Sequence, residues 1–326
     1  MNAKAKKAIR FSLSLILAAV FVYLAFRGVS WKEFWQDLLA TNWFYVALSL
    51  VASVFALLFR ALRWRDMLRA IEPDTALIKV WDADNIGNIT NLVLPGVGEF
   101  LRCGMLSTRR SPYEKTLGTI LMERIWDVMA VALMIVLALV INWDRFGRFF
   151  IDNVVKPASG RLSIGLGWIV LIVIAVIAAF IIVVFRFRGR NKFCAKVADA
   201  VTGLMDGFAS FKDMRHKFRF AMYTVGVWVM YVFMSYFVLK AIPAVSGLGL
   251  EDGLFISAVG NIASVIPVPG GIGAYHYIVS LALSGLYNVE WGIGILFATI
   301  CHESHAILVL VLGIISYVHD SLHKRS

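Results

Sequence analysis

Six apolar runs constrain this chain more than any motif does. They cover roughly residues 9–26, 43–62, 116–141, 162–185, 219–241 and 292–317. A helix crosses the hydrocarbon core of a bilayer in about 20 residues. Backbone in lipid must satisfy its own hydrogen bonds, so runs of this length fold as helices. Charged residues make up 16% of the 326-residue chain and apolar residues 60%. A soluble domain would carry about 25% charge. The first run has a basic start, but Phe26-Arg27-Gly28-Val29 is a poor cleavage site, so it is expected to stay as a span rather than leave as a signal peptide.

Two stretches are broken by Pro and Gly in matching places. One reads Asn91-Leu-Val-Leu-Pro95-Gly96-Val-Gly98-Glu99 and the other Ile266-Pro267-Val-Pro269-Gly270-Gly271-Ile-Gly273. Neither has room for a full crossing. Residues 77–94 carry Asp82, Asp84, Asn85, Asn88 and Asn91. Residues 254–266 make only about 20 Å of helix at 1.5 Å per residue. Two re-entrant hairpins are the simplest solution. The first is expected to enter from the cytoplasm and return near Arg109, the second to enter from outside and return near Tyr287. Bent backbone at membrane depth needs protein or a wet cavity beside it. The halves then match. The second span starts near 43 and near 219, the third near 116 and near 292. Three crossings per half invert the second half, the arrangement of many secondary transporters, whose broken helices mark the substrate site. The expected fold is therefore an all-α integral membrane protein: about six full transmembrane helices plus two re-entrant helical hairpins in an inverted repeat. It forms a single polytopic domain over 1–326, with half one about 1–145 and half two about 160–326.

Charge sets the orientation. Lys and Arg cluster at the N-terminus, at the end of the second span and in the loop after the fourth. Loop 142–161, with Arg145, Arg148, Lys156 and Arg161, fits less well. Both termini are expected in the cytoplasm. The net charge of +11 then serves orientation and contact with anionic headgroups, and nucleic acid is excluded as a partner. Residues 191–218 read as a basic amphipathic helix on the cytoplasmic interface. Cys103, Cys194 and Cys301 form no spaced cluster, so neither a disulfide framework nor a zinc site follows from them.

Ionisable residues inside spans face a cavity or one another. Glu99 and Arg102 can share a helix face, as can Glu123 and Asp127, with Arg124 between them. They suit either a structural ion-pair network or a site for a charged headgroup, and the two can coexist. Arg60 and Arg63 read as snorkelling anchors at the cytoplasmic face, with contact to lipid phosphate as the alternative. His276, His302 and His305 have the ligand types for a metal, but hydrogen-bonded interior histidines are the default and no metal is assigned. His302-Glu-Ser-His305 is not the HExxH of metalloproteases. Residues 269–273 lack the P-loop pattern. Their glycines would expose backbone N–H groups at the start of a helix, where an anion is favoured; the alternative is close helix packing.

Taken together, Asn91, Pro95, Gly98-Glu99, Arg102, Glu123-Arg124, Asp127 and the 267–273 turn resemble the transmembrane region of the lysylphosphatidylglycerol synthases, a group often labelled flippase-like. Arg60, Arg63 and Trp64 fit its Arg/Trp pattern. The resemblance covers nearly the whole chain. It implies a lipid-translocating domain in a bacterial-type inner membrane, with re-entrant helices around a central cavity and no cofactor. The candidate substrate-binding residues it brings together are Asn91, Glu99, Arg102, Glu123, Arg124, Asp127, Gly270, Gly271, Gly273, His276 and His302. The expected partner is a membrane lipid with an anionic headgroup, and a homo-oligomer is compatible. The chain ends at Ser326, so the soluble aminoacyl-transfer domain is not expected and neither is enzyme activity. Three positions depart from the family pattern. His276 stands where many members have Glu, His302 where many have Arg, and Gly96 where Arg is common. Two classes stay open: a transporter of an anionic or aminoacylated phospholipid or polyprenyl-linked lipid, and a non-transporting accessory subunit of an envelope-lipid enzyme.

Overall fold

A computed structural model describes residues 3–141, 216–263 and 268–323, with 143, 186, 198, 199, 202, 205, 214 and 266 as single positions. All regular structure among them is helical. In chain order the helices are α1 (Ala3–Phe26), α2 (Trp31–Leu39), α3 (Trp43–Arg69), α4 (Leu77–Val93), α5 (Val97–Leu106), α6 (Tyr113–Ile141), α7 (Lys217–Ala241), α8 (Leu250–Ala263), α9 (Ala274–Tyr287) and α10 (Trp291–His323). Four of them, α3, α6, α7 and α10, are long and apolar enough to cross a membrane. The end of α1 and α2 make a fifth candidate as a pair bent by 82°. The run expected at 162–185, loop 142–161 and most of the interfacial segment at 191–218 lie outside the described residues.

Local chemistry explains the joints. α1 stops before Gly28, whose φ is 81°, and the chain restarts at Trp31, which stacks on Phe26 at 5.8 Å. α3 begins where the Asn42 side chain accepts a hydrogen bond from the Phe44 N–H at 3.1 Å, an N-cap. It then runs to Arg69, past the apolar run that ends near 62. The extra turns hold because their polar residues are paired inside the protein. Asp66 accepts two 2.7 Å hydrogen bonds from Arg219 of α7.

Both breaks are helix–turn–helix hairpins. After α4, Leu94 is extended and Gly96 left-handed at φ 78°. Asn91 then caps the returning helix by accepting from the Gly98 N–H at 2.8 Å. A Cβ on Gly98 would collide with the Gly87 carbonyl, so α4 and α5 meet backbone to backbone. In the second hairpin, a 3₁₀ turn at Pro269–Gly271 joins α8 to α9, and Gly270, Gly271 and Gly273 all have positive φ. Such backbone suits Gly and almost nothing else. The second hairpin glycines are therefore required by the turn itself.

Packing joins helices far apart in the chain. α3 lies along α7; α10 packs on α4 and α9, while α6 packs on α5 and α8. A Cβ on Gly226 of α7 would enter the Phe59 ring of α3, the close approach through a small residue that drives association where lipid replaces water. One apolar cluster gathers Leu239, Ile256, Leu283 and Phe297 across α7–α10. Another surrounds Trp64 with Met67, Ile120 and Phe220.

Candidate functional site

A buried ion-pair network joins α3, α4, α5 and α6. Arg63, fully buried, pairs with Glu123 at 2.8 Å and Asp127 at 2.8 Å. Arg102 pairs with Asp84 at 2.5 Å, Glu99 at 2.6 Å and Glu123 at 3.0 Å. Arg124 reaches Glu123 and Asp127, each at 3.2 Å. The Arg102 guanidinium also stacks 4.6 Å over the Trp64 ring, whose indole N–H donates to Thr119 at 2.9 Å. Charges in lipid are tolerated when paired in this way. The network pins the first hairpin to α3 and α6.

Beside it lies a cavity of about 810 Å³, lined by α3, α6, α7, α8, α9 and α10. That is within the size range of small-molecule sites, about 300–1,000 Å³. Arg60, Arg124, Asp127, Asn261, His302 and His305 supply its polar wall; Val128, Val131, Ile135 and Trp228 supply much of its apolar wall. Arg124 and Asp127 therefore belong to both the network and the cavity. Arg60 differs from its neighbours. Among the described residues no carboxylate lies within ion-pair distance of it, although Glu123, Asp84 and Asp127 are close enough to act on it electrostatically.

The second hairpin meets α10 through histidine. His302 Nε2 contacts the Gly270 carbonyl at 2.8 Å, and its Nδ1 faces Glu303 at 3.0 Å. His276 Nε2 lies 3.7 Å from the same Glu303 oxygen. The two imidazoles stand 5.5 Å apart, centre to centre. His305 instead contacts the Ser53 hydroxyl of α3 at 2.6 Å.

Residues 11–313 match the family model described as the lysylphosphatidylglycerol synthase TM region. The chain belongs to that family. No curated protein and no solved structure matches it significantly. A multi-pass membrane protein of the lysylphosphatidylglycerol synthase family is thus what the four long apolar helices build.

Within this family member, the sequence candidates fall into three groups. Glu99, Arg102, Glu123, Arg124 and Asp127 come together in the network. Arg102 is 2% exposed and surrounded by three carboxylates, so its charge is already matched. Gly270, His276 and His302 come together at the second turn; Gly271 abuts the His302 ring and Gly273 abuts the backbone of α1 at Val22. Asn91 stands apart from both as the cap of α5. Of these candidates, Arg124, Asp127 and His302 line the cavity. Arg63 is no snorkelling anchor: its guanidinium is turned inward onto Glu123 and Asp127. Sequence reasoning missed the cavity role of Arg60, Tyr231, Ser257, Asn261 and Tyr275. For Arg60 the sequence offered its place two residues before the end of an apolar run, its fit to the family's Arg/Trp pattern and contact to lipid phosphate as an alternative, but not the cavity.

Proposed function

We propose that this chain is a flippase-like protein that moves an anionic or aminoacylated phospholipid, or a polyprenyl-linked lipid, between leaflets. One observation carries the proposal: Arg60, which has no carboxylate within ion-pair distance among the described residues, lines a half-open cavity of about 810 Å³ bordered by helices from the N-terminal and C-terminal parts of the chain. The carboxylates that act on it, Glu123, Asp84 and Asp127, are each paired directly to other arginines, so Arg60 is left with a position for a direct anionic partner. A lipid phosphate would fill it, with Arg124 beside it. Asp127, whose side chain keeps 19% of its surface exposed, offers a contact to the ammonium of an aminoacylated headgroup. The apolar wall of α6 offers a surface to acyl chains. The network residues Glu99, Arg102 and Glu123 hold this wall in place rather than bind the lipid.

The architecture we propose is six spans with two re-entrant hairpins in an inverted repeat, both termini in the cytoplasm of a bacterial-type cell membrane. Helix starts at 43, 77, 97 and 113 recur at 217, 250, 274 and 291. The exchange of partners, α10 on the first hairpin and α6 on the second, supports the same symmetry.

The test is reconstitution into liposomes with fluorescent lipids of different headgroups, with leaflet exchange followed by dithionite quenching. Headgroup-selective exchange is expected in wild type, lost in Arg60→Gln and partly restored in Arg60→Lys. No exchange for any lipid by folded wild-type protein would instead favour an accessory subunit.

A further inference from the structure

The contacts of His302 fix its tautomer and leave an electrostatic conflict. The Gly270 carbonyl can only accept, so Nε2 carries the hydrogen in the 2.8 Å contact. In a neutral ring Nδ1 then bears a lone pair, and it points at a carboxylate oxygen of Glu303 3.0 Å away. Two acceptors face each other. His276 brings a third ligand atom, Nε2, to 3.7 Å from the same oxygen. All three atoms lie within 4.8 Å of one another. His276 is 2% exposed, and its other nitrogen, Nδ1, has no hydrogen-bond partner among the described residues. Either a second proton on His302 or a cation held among the three donor atoms relieves that conflict, and the third donor brought to the same oxygen by His276 fits the cation.

We propose that His276 Nε2, His302 Nδ1 and Glu303 Oε1 form a three-ligand site for a divalent ion of the zinc class. The donor set is one that zinc accepts, two imidazoles and a carboxylate with a fourth position left open. Imidazole donors disfavour Mg²⁺ and Ca²⁺. Zn–N and Zn–O bonds of 2.0–2.2 Å put the ligand atoms of a tetrahedron about 3.4 Å apart. The observed 3.0 and 3.7 Å bracket that spacing. The outer shell fits as well. A metal-bound histidine usually donates its remaining N–H to a carboxylate or backbone carbonyl, and the Gly270 carbonyl fills that role. Glu303 keeps 39% of its side-chain surface exposed, which gives the ion a way in. Bound there, the ion would strap the start of α9 and the 269–273 turn to α10. His305, engaged with Ser53, is not part of the set.

The test uses the whole chain, purified in detergent without a polyhistidine tag. It is equilibrated with zinc, desalted and assayed by mass spectrometry of the metal. One zinc per chain is expected in wild type, with His276→Ala and Glu303→Gln losing more than the roughly 10–100-fold that changes to outer-shell partners cost. Cobalt in place of zinc should give the intense visible bands of four-coordination in wild type only. His302→Gln keeps a donor for the Gly270 carbonyl and should fold without binding. His319→Ala, which alters the other close histidine pair (rings 4.2 Å apart at His319 and His323), should bind as wild type does. Each protein's fold is checked by size-exclusion elution and by thermal unfolding without metal. Zinc should raise the unfolding temperature of wild type and not of the three ligand variants. Folded wild type that retains no zinc overturns the proposal. So does equal retention by wild type and the ligand variants. Lipid exchange enters none of these readouts, so the metal site and the transport function can fail independently.

Discussion

More arginines converge on Glu123 than on any other carboxylate among the described residues: Arg63, Arg102 and Arg124 all reach it. Breaking a buried pair from one side strands the other charge, at a cost of about 3–5 kcal/mol. Glu123→Gln keeps the shape and removes the charge, so it should lower thermal stability in detergent by that order, read as a large fall in unfolding temperature. Arg60→Gln should cost clearly less. It breaks no direct ion pair among the described residues, although Glu123, Asp84 and Asp127 act on Arg60 from further off, so the fall in unfolding temperature should be well below that of Glu123→Gln. The two variants together separate structural from functional charge. An Arg60→Gln protein as unstable as Glu123→Gln would mean that Arg60 is held by the network after all, and the headgroup role would lose its basis.

Among the elements, the hairpins are the most sharply specified. Gly96 has a left-handed φ of 78° with open space around it, whereas Gly98 meets the Gly87 carbonyl directly. Asn tolerates left-handed backbone, so Gly96→Asn should be nearly neutral. Gly98→Ala forces α4 and α5 apart and pulls the Gly98 N–H away from Asn91. It should cost about 1–3 kcal/mol, as overpacking does. Thermal unfolding of the two variants side by side checks the order. The hairpin turns were legible in the sequence because Pro and Gly act locally. The long apolar runs were legible for the same reason: span length is a property of neighbouring residues. α2 was not. Its nine residues place Trp31, Phe34, Trp35 and Leu38 at helical spacing among Lys32, Glu33 and Asp37, but the segment is far too short and polar to stand out in a search for spans. Nor was the continuation of α3 to Arg69, because hydropathy counts Arg63 and Asp66 as exposed when Glu123 and Arg219 in fact receive them inside. For the site, the ion-pair partners sit close in sequence only for Glu99 with Arg102 and for Arg124 with Glu123 and Asp127. Which arginine is neutralised and which is left facing the cavity depends on contacts 60 residues apart, and spacing along the chain does not carry that information.

At the scale of the whole molecule, the two hairpins decide between topologies. If each enters and leaves by the same face, the residues flanking it lie on one side of the membrane. If each crosses, they lie on opposite sides. Asp74 and Arg110 flank the first hairpin, and Ala244 and Glu290 flank the second; all four are exposed. The proposed inverted repeat makes a joint prediction, because in it α10 carries the chain from the second hairpin's face to the first's. Cys103 and Cys301 are buried, so a background with the three native cysteines replaced by Ala should fold and leave single reporter cysteines free to react. Asp74→Cys and Arg110→Cys should both be shielded from a membrane-impermeant maleimide in intact cells and both react once the membrane is opened. Ala244→Cys and Glu290→Cys should both react in intact cells. Asn85 donates to the Ser316 hydroxyl at 3.4 Å, so cysteines at those two buried positions should form a disulfide with each other on oxidation, linking the first hairpin to the last helix. A split within either flanking pair would replace re-entrance by crossing, and with it the inverted arrangement that encloses Arg60 between the halves. Agreement within each pair, opposition between the pairs and the Asn85–Ser316 link together fit only one threading of the chain. In that threading α3 and α7 become equivalent second spans that both border the cavity, which is the arrangement the proposed transport needs to open the cavity to either face of the membrane in turn.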